Sequence, residues 1–285
     1  MYVPEGYKIV VDEAARSKDV VQRLEVLLVH WTKQIKEVIN AQHSSEANEN
    51  TGPLEEIQFW RSRCDDLSSI SNQINRTDVQ EIIKVLDTAK SSFIEQFYRL
   101  SNLIEEGTIE AQDNLRFLSL LSDNCKNLSL AEPKDILNIL PDLLRHIRLI
   151  WANSRFYNTK ERLTSLLRKV SNEIIKRCCA KISLDDIFHG DVYTAIVSIQ
   201  DSINCGEAWK AVYKKTCAHI LKFTEKQWDF DQSSIFAQID AFVRRCRDLL
   251  EVCEGQLQFA RKIPGGSKAQ VPNFGGVRGP EIAKR

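Results

Sequence analysis

The stretch LPDLLRHIRLIWANSRFYNTKERLTSLLRKVSNEIIKRCC, from Leu140 to Cys179, decides the fold. Two helical patterns meet in it at a polar elbow, Asn153-Ser154-Arg155. In the second pattern, apolar residues recur at spacings of three, four or seven, which aligns them as one stripe on an α-helix. The stripe consists of Phe156, Leu163, Leu167, Val170, Ile174, Cys178 and Ile182, with Lys160, Glu161, Arg168, Lys169, Glu173 and Lys176 expected on the other faces. A helix with such a stripe needs a packing partner.

Further helical patterns lie on both sides of this stretch. They cover residues 20–40, 54–67, 78–107, 111–121, 133–140, 192–203, 207–223 and 235–257, and the polar residues 68–77 form either a break or a continuation. Breakers predict the interruptions: a helix end at Gly107, a break or kink at Pro141, and two helices separated at Asn204-Cys205-Gly206. Ser233 or Ser234 is expected to cap the last helix.

The glycine distribution indicates the fold class. Between Pro53 and Glu254 the only glycines are Gly107, Gly190 and Gly206, and no hairpin dipeptide separates alternating strands. The sequence therefore predicts an all-α fold, an elongated stack of antiparallel bundles with roughly eight or nine helices. An extended lead over residues 1–11 precedes a helical domain over 12–262, and a flexible, basic, Gly/Pro-rich tail follows over 263–285.

Charge and hydropathy exclude several classes of partner. The 39 Lys and Arg residues balance 39 Asp and Glu residues, so we expect neither a nucleic acid nor an anionic membrane as partner. Two basic patches have acidic residues interspersed on the same helices, as on ordinary solvated faces. The patches are Arg244-Arg245-Arg247 and Arg162-Arg168-Lys169-Lys176-Arg177, and the acidic residues are Asp240, Asp248, Glu251, Glu161 and Glu173. No apolar run reaches the roughly 20 residues of a membrane span, and the N-terminus lacks a signal-peptide pattern. A cytoplasmic chain is expected.

The residues that carry chemistry form no recognisable site. The eight cysteines fit no zinc-ligand spacing and are expected as buried free thiols. Cys217 and His219, with Cys205 nearby, would fall on different faces of a helix, about 200° apart, so a shared metal is not expected. Gly265-Gly266-Ser267-Lys268 has the wrong order for a phosphate loop. We predict no catalytic residue, no metal, no cofactor and no small-molecule substrate, with a site assembled only in space as the open alternative.

The five tryptophans allow two interpretations. Trp31, Trp60 and Trp151 are in phase with the apolar stripes of their helices, which indicates core positions, whereas Trp209 and Trp228 are less clearly in phase. Tryptophan is also enriched among the residues that dominate binding at protein interfaces. An interface role for these side chains is the alternative.

Five collinear segments together resemble the N-terminal tail of dynein heavy chains, in particular the axonemal type. They are HWTKQIKEVIN (His30 to Asn40), GPLEEIQFWRSRCDDL (Gly52 to Leu67), IWANSRFYNTKERLTSLLRKVSNEII (Ile150 to Ile175), DQSSIFAQIDAFVRRCRDLLEVC (Asp231 to Cys253) and FGGVRGPEI (Phe274 to Ile282). Tails of this family continue past the last segment, so the resemblance implies that this sequence covers part of a tail.

The resemblance implies a scaffold rather than an enzyme. In that family the tail joins heavy chains to one another, to intermediate chains and to light chains, and in axonemal members it fixes the complex to the doublet microtubule. The ATP-driven motor modules follow the tail and are not in this sequence. The matching motifs look structural, so Trp60, Trp151, Tyr157, Asn158 and Leu163 are expected to hold the bundle together. An unrelated cytosolic all-α regulatory or enzymatic domain is the alternative.

Overall fold

Every regular element in the described part of the chain is a helix. The structure is a computed structural model, and it describes residues 10–44, 50–184, 187, 191–220 and 228–259. The α-helices are α1 (Val11–Arg16), α2 (Lys18–Ser44), α3 (Pro53–Ile74), α4 (Thr77–Thr88), α5 (Ile94–Leu118), α6 (Ser122–Leu130), α7 (Pro133–Asn153), α8 (Lys160–Cys179), α9 (Val192–Ile220) and α10 (Gln232–Phe259), with a short 3-10 helix at Ser119–Leu121. The predicted all-α class is confirmed.

The described residues group into two compact units. The first contains the residues up to Ser122 together with Leu149–Thr159, and the second contains Asp123–Arg148 together with the residues from Lys160 onward. The predicted lead, over residues 1–11, lies almost entirely outside the described residues, as does the predicted tail over 263–285. The division of the chain into those three parts stays a prediction.

In the first unit, α5 packs against α2, α3 and α4, and α1 packs against α2 and α4. The core of this unit is formed by apolar side chains that recur about once per turn on α2, α3, α4 and α5. Fully or nearly fully buried examples are Leu28, Trp31, Ile35, Val79, Ile82, Val85, Leu86, Phe97 and Ile104. Burying these side chains is the main favourable contribution to folding, at about 25 cal/mol per Å² of apolar surface.

In the second unit, α8, α9 and α10 contact one another. Ser171 of α8 joins all three: its hydroxyl accepts a hydrogen bond from the Trp209 indole of α9 at 2.9 Å and donates one to the Ile235 carbonyl of α10 at 3.0 Å. The rings of Trp209, Tyr213 and Phe236 pack edge to face beside it, with centroids 5.2 to 6.1 Å apart. Edge-to-face contacts of this kind add to the gain from burial alone.

Within α8 the stripe is buried as predicted, whereas Phe156 and Ile182 lie outside this helix and are half-buried. The opposite faces of α8 also differ from the prediction. Leu163, Leu167 and Val170 are fully buried, whereas Lys169 is only 1% exposed and Glu173 only 4% exposed. The expectation that these two charged residues lie on a solvated face is therefore wrong. Glu173 keeps an ion pair with Lys176 at 3.7 Å, which reduces the desolvation penalty of its buried carboxylate.

Two glycines predicted to interrupt helices lie inside them instead. Gly107 does not end a helix, because α5 continues to Leu118; a Cβ at Gly107 would approach Leu67 of α3 to 3.3 Å, so the glycine permits close helix packing. Gly206 does not separate two helices either, and α9 runs unbroken from Val192 to Ile220. In both cases contact with a neighbouring helix outweighs the low helix propensity of glycine.

Other helix boundaries also differ from the sequence prediction. The pattern over 78–107 is divided between α4 and α5 by a turn in which Lys90 has φ 55° and the Ser91 N–H donates to the Leu86 carbonyl at 3.0 Å, a Schellman helix end. Pro141 does not break α7, since the apolar face of this helix is fully buried and offsets one lost hydrogen bond. Asp231, not a serine, caps α10 by accepting bonds from the Ser233 and Ser234 N–H groups.

Candidate functional site

The polar elbow between α7 and α8 wraps around one carboxylate. Oδ2 of Asp113, on α5, accepts hydrogen bonds from the Ser154 hydroxyl at 3.1 Å and from the backbone N–H groups of Arg155 at 3.0 Å and Phe156 at 3.4 Å. The Ser154 hydroxyl in turn accepts a bond from the Tyr157 N–H at 2.9 Å. These bonds satisfy backbone donors that a helix would otherwise pair, so α8 begins at Lys160 and not at the predicted Phe156.

A second carboxylate holds the same elbow to α3. Glu56 is 7% exposed, and its Oε1 atom accepts hydrogen bonds from the Trp60 indole and the Tyr157 hydroxyl, each at 2.9 Å. The Trp60 and Tyr157 rings meet edge to face with centroids 6.3 Å apart. A buried carboxylate is tolerated only when it is hydrogen-bonded, so the three side chains form one structural unit.

Next to the elbow lies a groove on the surface of the first unit, with a volume of about 520 Å³. Its lining combines apolar side chains with two arginines and two glutamates. The lining residues are Ile39, Arg63, Leu67, Leu103, Glu106, Gly107, Ile109, Glu110, Arg155 and Phe156. Leu103 is 52% exposed and Ile109 is 45% exposed, so the groove presents apolar surface to solvent.

The elbow positions two of the groove residues. Because Asp113 holds the N–H groups of Arg155 and Phe156, the backbone that carries both side chains is fixed relative to α5. The Arg155 guanidinium lies over the Phe156 ring, 5.0 Å from its centroid, in a cation–π contact between two residues that line the groove. In the part of the chain that the structure describes, neither Arg155 nor Glu106 takes part in an ion pair.

The groove lining brings apolar side chains and charges of both signs together. Apolar side chains beside charges of both signs are typical of surfaces that recognise another protein. The arrangement can therefore exclude water from apolar contacts and select a partner by charge.

Five of the eight cysteines are buried as expected, whereas Cys64 and Cys217 are half-buried and Cys179 is exposed. Burial raises the pKa of the Cys246 thiol to about 11, and burial also raises the pKa of Cys253. The pKa of Cys178 is raised as well, first through its contact with the Cys205 thiol and then through burial. The thiolate is the reactive form of cysteine, so these groups stay unreactive at neutral pH.

The metal and phosphate sites considered from the sequence can be located only in part. Cys205 and Cys217 both lie on α9, whereas the side chain of His219 and the segment Gly265-Gly266-Ser267-Lys268 lie outside the described residues. Among the residues that are described, no group of three or more His, Cys, Asp or Glu side chains is placed to hold a metal ion. In the same residues, no helix is both long and apolar enough to cross a membrane.

All five tryptophans are buried, which confirms core positions for Trp31, Trp60 and Trp151 and extends them to Trp209 and Trp228. The other residues expected to be structural follow the same trend, since Tyr157 and Leu163 are buried and Asn158 is half-buried. The basic run on α10 is partly neutralised by α9, with Arg247 paired to Glu207. A second ion pair between these helices has the opposite polarity, because Lys210 of α9 pairs with Asp240 of α10.

The groove itself was not predicted from the sequence. Its walls come from α2, α3, α5 and the elbow, and no single helix pattern shows that Ile39, Leu67 and Phe156 meet. The one available signal was on α5, where the spacing of Leu103, Glu106 and Glu110 continues along a face outside the predicted apolar stripe.

Comparisons with known proteins identify the family of this chain. The sequence model of the family "Dynein heavy chain, N-terminal region 1" matches residues 21–285. The chain is 50% identical over 284 residues to the dynein-1-beta heavy chain of the flagellar inner arm I1 complex from Chlamydomonas reinhardtii, covering 100% of this chain and 6% of that protein. It is 48% identical over 171 residues to human dynein axonemal heavy chain 2, covering 60% of this chain and 4% of that protein.

A more distant relative matches over nearly the same span. The dynein beta chain of the flagellar outer arm from Chlamydomonas reinhardtii is 30% identical over 264 residues, which is 90% of this chain and 6% of that protein. The chain thus spans a small fraction of the heavy chains it matches, and the match covers the N-terminal tail region with no part of a motor domain. The chain belongs to the dynein heavy chain family and represents the N-terminal tail region of its axonemal type.

Proposed function

We propose that this chain is a non-catalytic scaffold segment of an axonemal dynein heavy-chain tail, which assembles with intermediate chains, light chains and other heavy chains. The observation that carries the proposal is the match of residues 21–285 to the N-terminal region of dynein heavy chains. In the parent protein, ATP-driven movement along microtubules would belong to segments outside this chain. The cilium axoneme is the proposed location, since the relatives are named as flagellar or axonemal dyneins.

The physical properties of the described helices support a scaffold. Hydrogen-bond networks at buried Glu56 and Ser171 and at half-buried Asp113 join elements that are distant in sequence, and such networks favour one defined arrangement over competing ones. The groove beside the elbow adds exposed apolar surface with charges of both signs. Packed helices that present such a surface suit the assembly of a protein complex.

Reconstitution with separately purified subunits tests this function. The tagged full chain is mixed in turn with an axonemal dynein intermediate chain, a light chain and a second heavy-chain tail, and the masses of the products are measured. We expect a stoichiometric complex with at least one subunit and no ATP hydrolysis by the purified chain. Absence of every complex, or turnover of a substrate by the chain alone, would refute the proposal.

A further inference from the structure

One face of α5 in the first unit is left open to solvent. Leu103, Glu106, Gly107 and Glu110 line the groove at spacings of three, four and seven, which places them on one side of the helix over about 10 Å of its axis. Other faces of α5 pack against α2, α3 and α4. In the middle of the open face Gly107 has no side chain, and Leu67 of α3 lies 3.3 Å from the position that its Cβ would take, so α3 packs closely against α5 along the groove.

This geometry fits a helix better than other occupants. Helices pack by placing the ridges of one into the grooves of another, and residues of both α3 and α5 line this groove. The cleft is within the roughly 300–1,000 Å³ range of small-molecule sites, but its half-exposed Leu103 and Ile109 would leave such a ligand in contact with water. The neighbouring segment 45–49 cannot supply the missing apolar contacts, because Ala47 is its only apolar residue.

The charges on the walls define the chemistry of the partner. Glu106 is on the α5 wall and Arg155 is on the elbow wall, and neither takes part in an ion pair within the described chain. We propose that this groove binds an amphipathic α-helix of a partner protein that carries two large apolar side chains one turn apart. On either side of these apolar side chains, the partner helix carries a basic residue that faces Glu106 and an acidic residue that faces Arg155. This proposal deepens the assembly role proposed above and rests on it only for the identity of the partner protein.

A selection with helical peptides tests the groove directly. A display library of 18-residue helices, randomised along one face, is enriched on the immobilised full chain, and the enriched peptides are synthesised. We expect sequences with the paired apolar anchors and the two flanking charges. In fluorescence anisotropy, Leu103→Glu and Ile109→Glu should each weaken binding by more than about tenfold, because each places a charge in the apolar contact. Leu120→Glu is the matched control, since Leu120 is 45% exposed and lies outside the groove.

Charge exchange tests the orientation of the partner. A chain carrying Glu106→Lys and Arg155→Glu together should prefer a peptide whose flanking charges are swapped, by about tenfold over the original peptide. Peptides that bind Leu103→Glu and Ile109→Glu as well as the unchanged chain would overturn the proposal, as would failure to enrich any helix. Circular dichroism of each variant confirms that it is folded.

The outcomes separate this proposal from the assembly role. Binding of dynein subunits that survives both groove substitutions would leave the assembly role standing and refute the groove. If the selected helices require the groove but the chain binds no dynein subunit, the groove proposal stands and the assembly role is refuted.

Discussion

Two glycines inside helices of the second unit give a sharp test of the packing. A Cβ added to Gly206 of α9 would lie 2.7 Å from Cγ2 of Val243 and 3.4 Å from Cγ1 of Ile239, both on α10. A Cβ added to Gly255 of α10 would have no neighbour within 4 Å. Both substitutions therefore add one methyl group: Gly206→Ala adds it at a tight contact, and Gly255→Ala adds it in open space.

The expected magnitudes have opposite signs. Alanine is favoured over glycine in a helix interior by about 1 kcal/mol. This gain applies at both positions, and it is smaller at Gly255 because that residue lies near the end of α10. At Gly206 overpacking costs about 1–3 kcal/mol, since Val243 is buried and its β-branched side chain is restricted at χ1. We therefore expect Gly206→Ala to destabilise the chain by about 1 kcal/mol and Gly255→Ala to stabilise it by up to about 1 kcal/mol.

Native-state hydrogen exchange measures this difference within the second unit. The free energy of opening is compared for the α9 and α10 amides of the unchanged chain and the two variants, so that the first unit does not contribute to the signal. Urea unfolding followed by circular dichroism gives an independent value. A Gly206→Ala variant as stable as Gly255→Ala would contradict the close contact between α9 and α10.

Three further predictions concern buried polar groups and thiols. Asp113→Ala should destabilise the first unit by about 2 kcal/mol in urea unfolding because three donors at the elbow lose their acceptor, while Asp123→Ala, at a side chain 92% exposed, should have no effect. Tyr157→Phe should cost about 1–3 kcal/mol by removing the hydroxyl that donates to buried Glu56. Burial raises the pKa of Cys246 from its usual 9 to about 11, so stability should fall as pH rises from about 9 to 11, less steeply in Cys246→Ala.

Each of these predictions has a clear contrary result. Equal effects of Asp113→Ala and Asp123→Ala would show that the elbow does not depend on the carboxylate. An unchanged urea midpoint in Tyr157→Phe would mean that the Tyr157–Glu56 bond contributes nothing. For the thiol, the sign follows because the folded chain keeps a proton that the unfolded chain loses between the two pKa values. A flat pH profile above pH 9 would contradict the burial of Cys246.

Regular helix interiors could be predicted from the sequence because their apolar period is a local property. The stripe through Leu163, Leu167 and Val170 needed only spacing, and all three side chains are buried where the period places them. The all-α class followed in the same way from the scarcity of glycine and of hairpin turns. The resemblance to dynein tails rested on the residues of five collinear segments, and the family match supports it.

Features that depend on a second helix could not be predicted in this way. Glycine is a residue type that often interrupts helices, so the sequence around Gly206 predicts a helix break. The close approach of Val243 gives this glycine a packing role that only the fold shows. The start of α8 moved from Phe156 to Lys160 because Asp113, more than 40 residues earlier, accepts the N–H groups of the elbow. The burial of Lys169 has the same origin, since the charge pattern of one helix does not show how many neighbours surround it.

The groove depends both on the local spacing within one helix and on contacts made by other helices. The α5 spacing of Leu103, Glu106 and Glu110 was present in the sequence, but its meaning depends on Ile39, Leu67 and Phe156 reaching the same place from other elements. No pattern within α5 alone identifies an open face, because a covered polar face and an exposed one have the same spacing.

The most direct test of the central claim is the assembly of a heavy chain that lacks this region. In Chlamydomonas, the segment of the dynein-1-beta heavy chain that matches this chain would be deleted, and the sedimentation and subunit content of the I1 complex would be measured. We expect the deleted heavy chain to be recovered without its partner subunits, and we expect the present sequence, inserted in its place, to restore the complex. A complete complex formed by the deleted heavy chain would contradict the scaffold role.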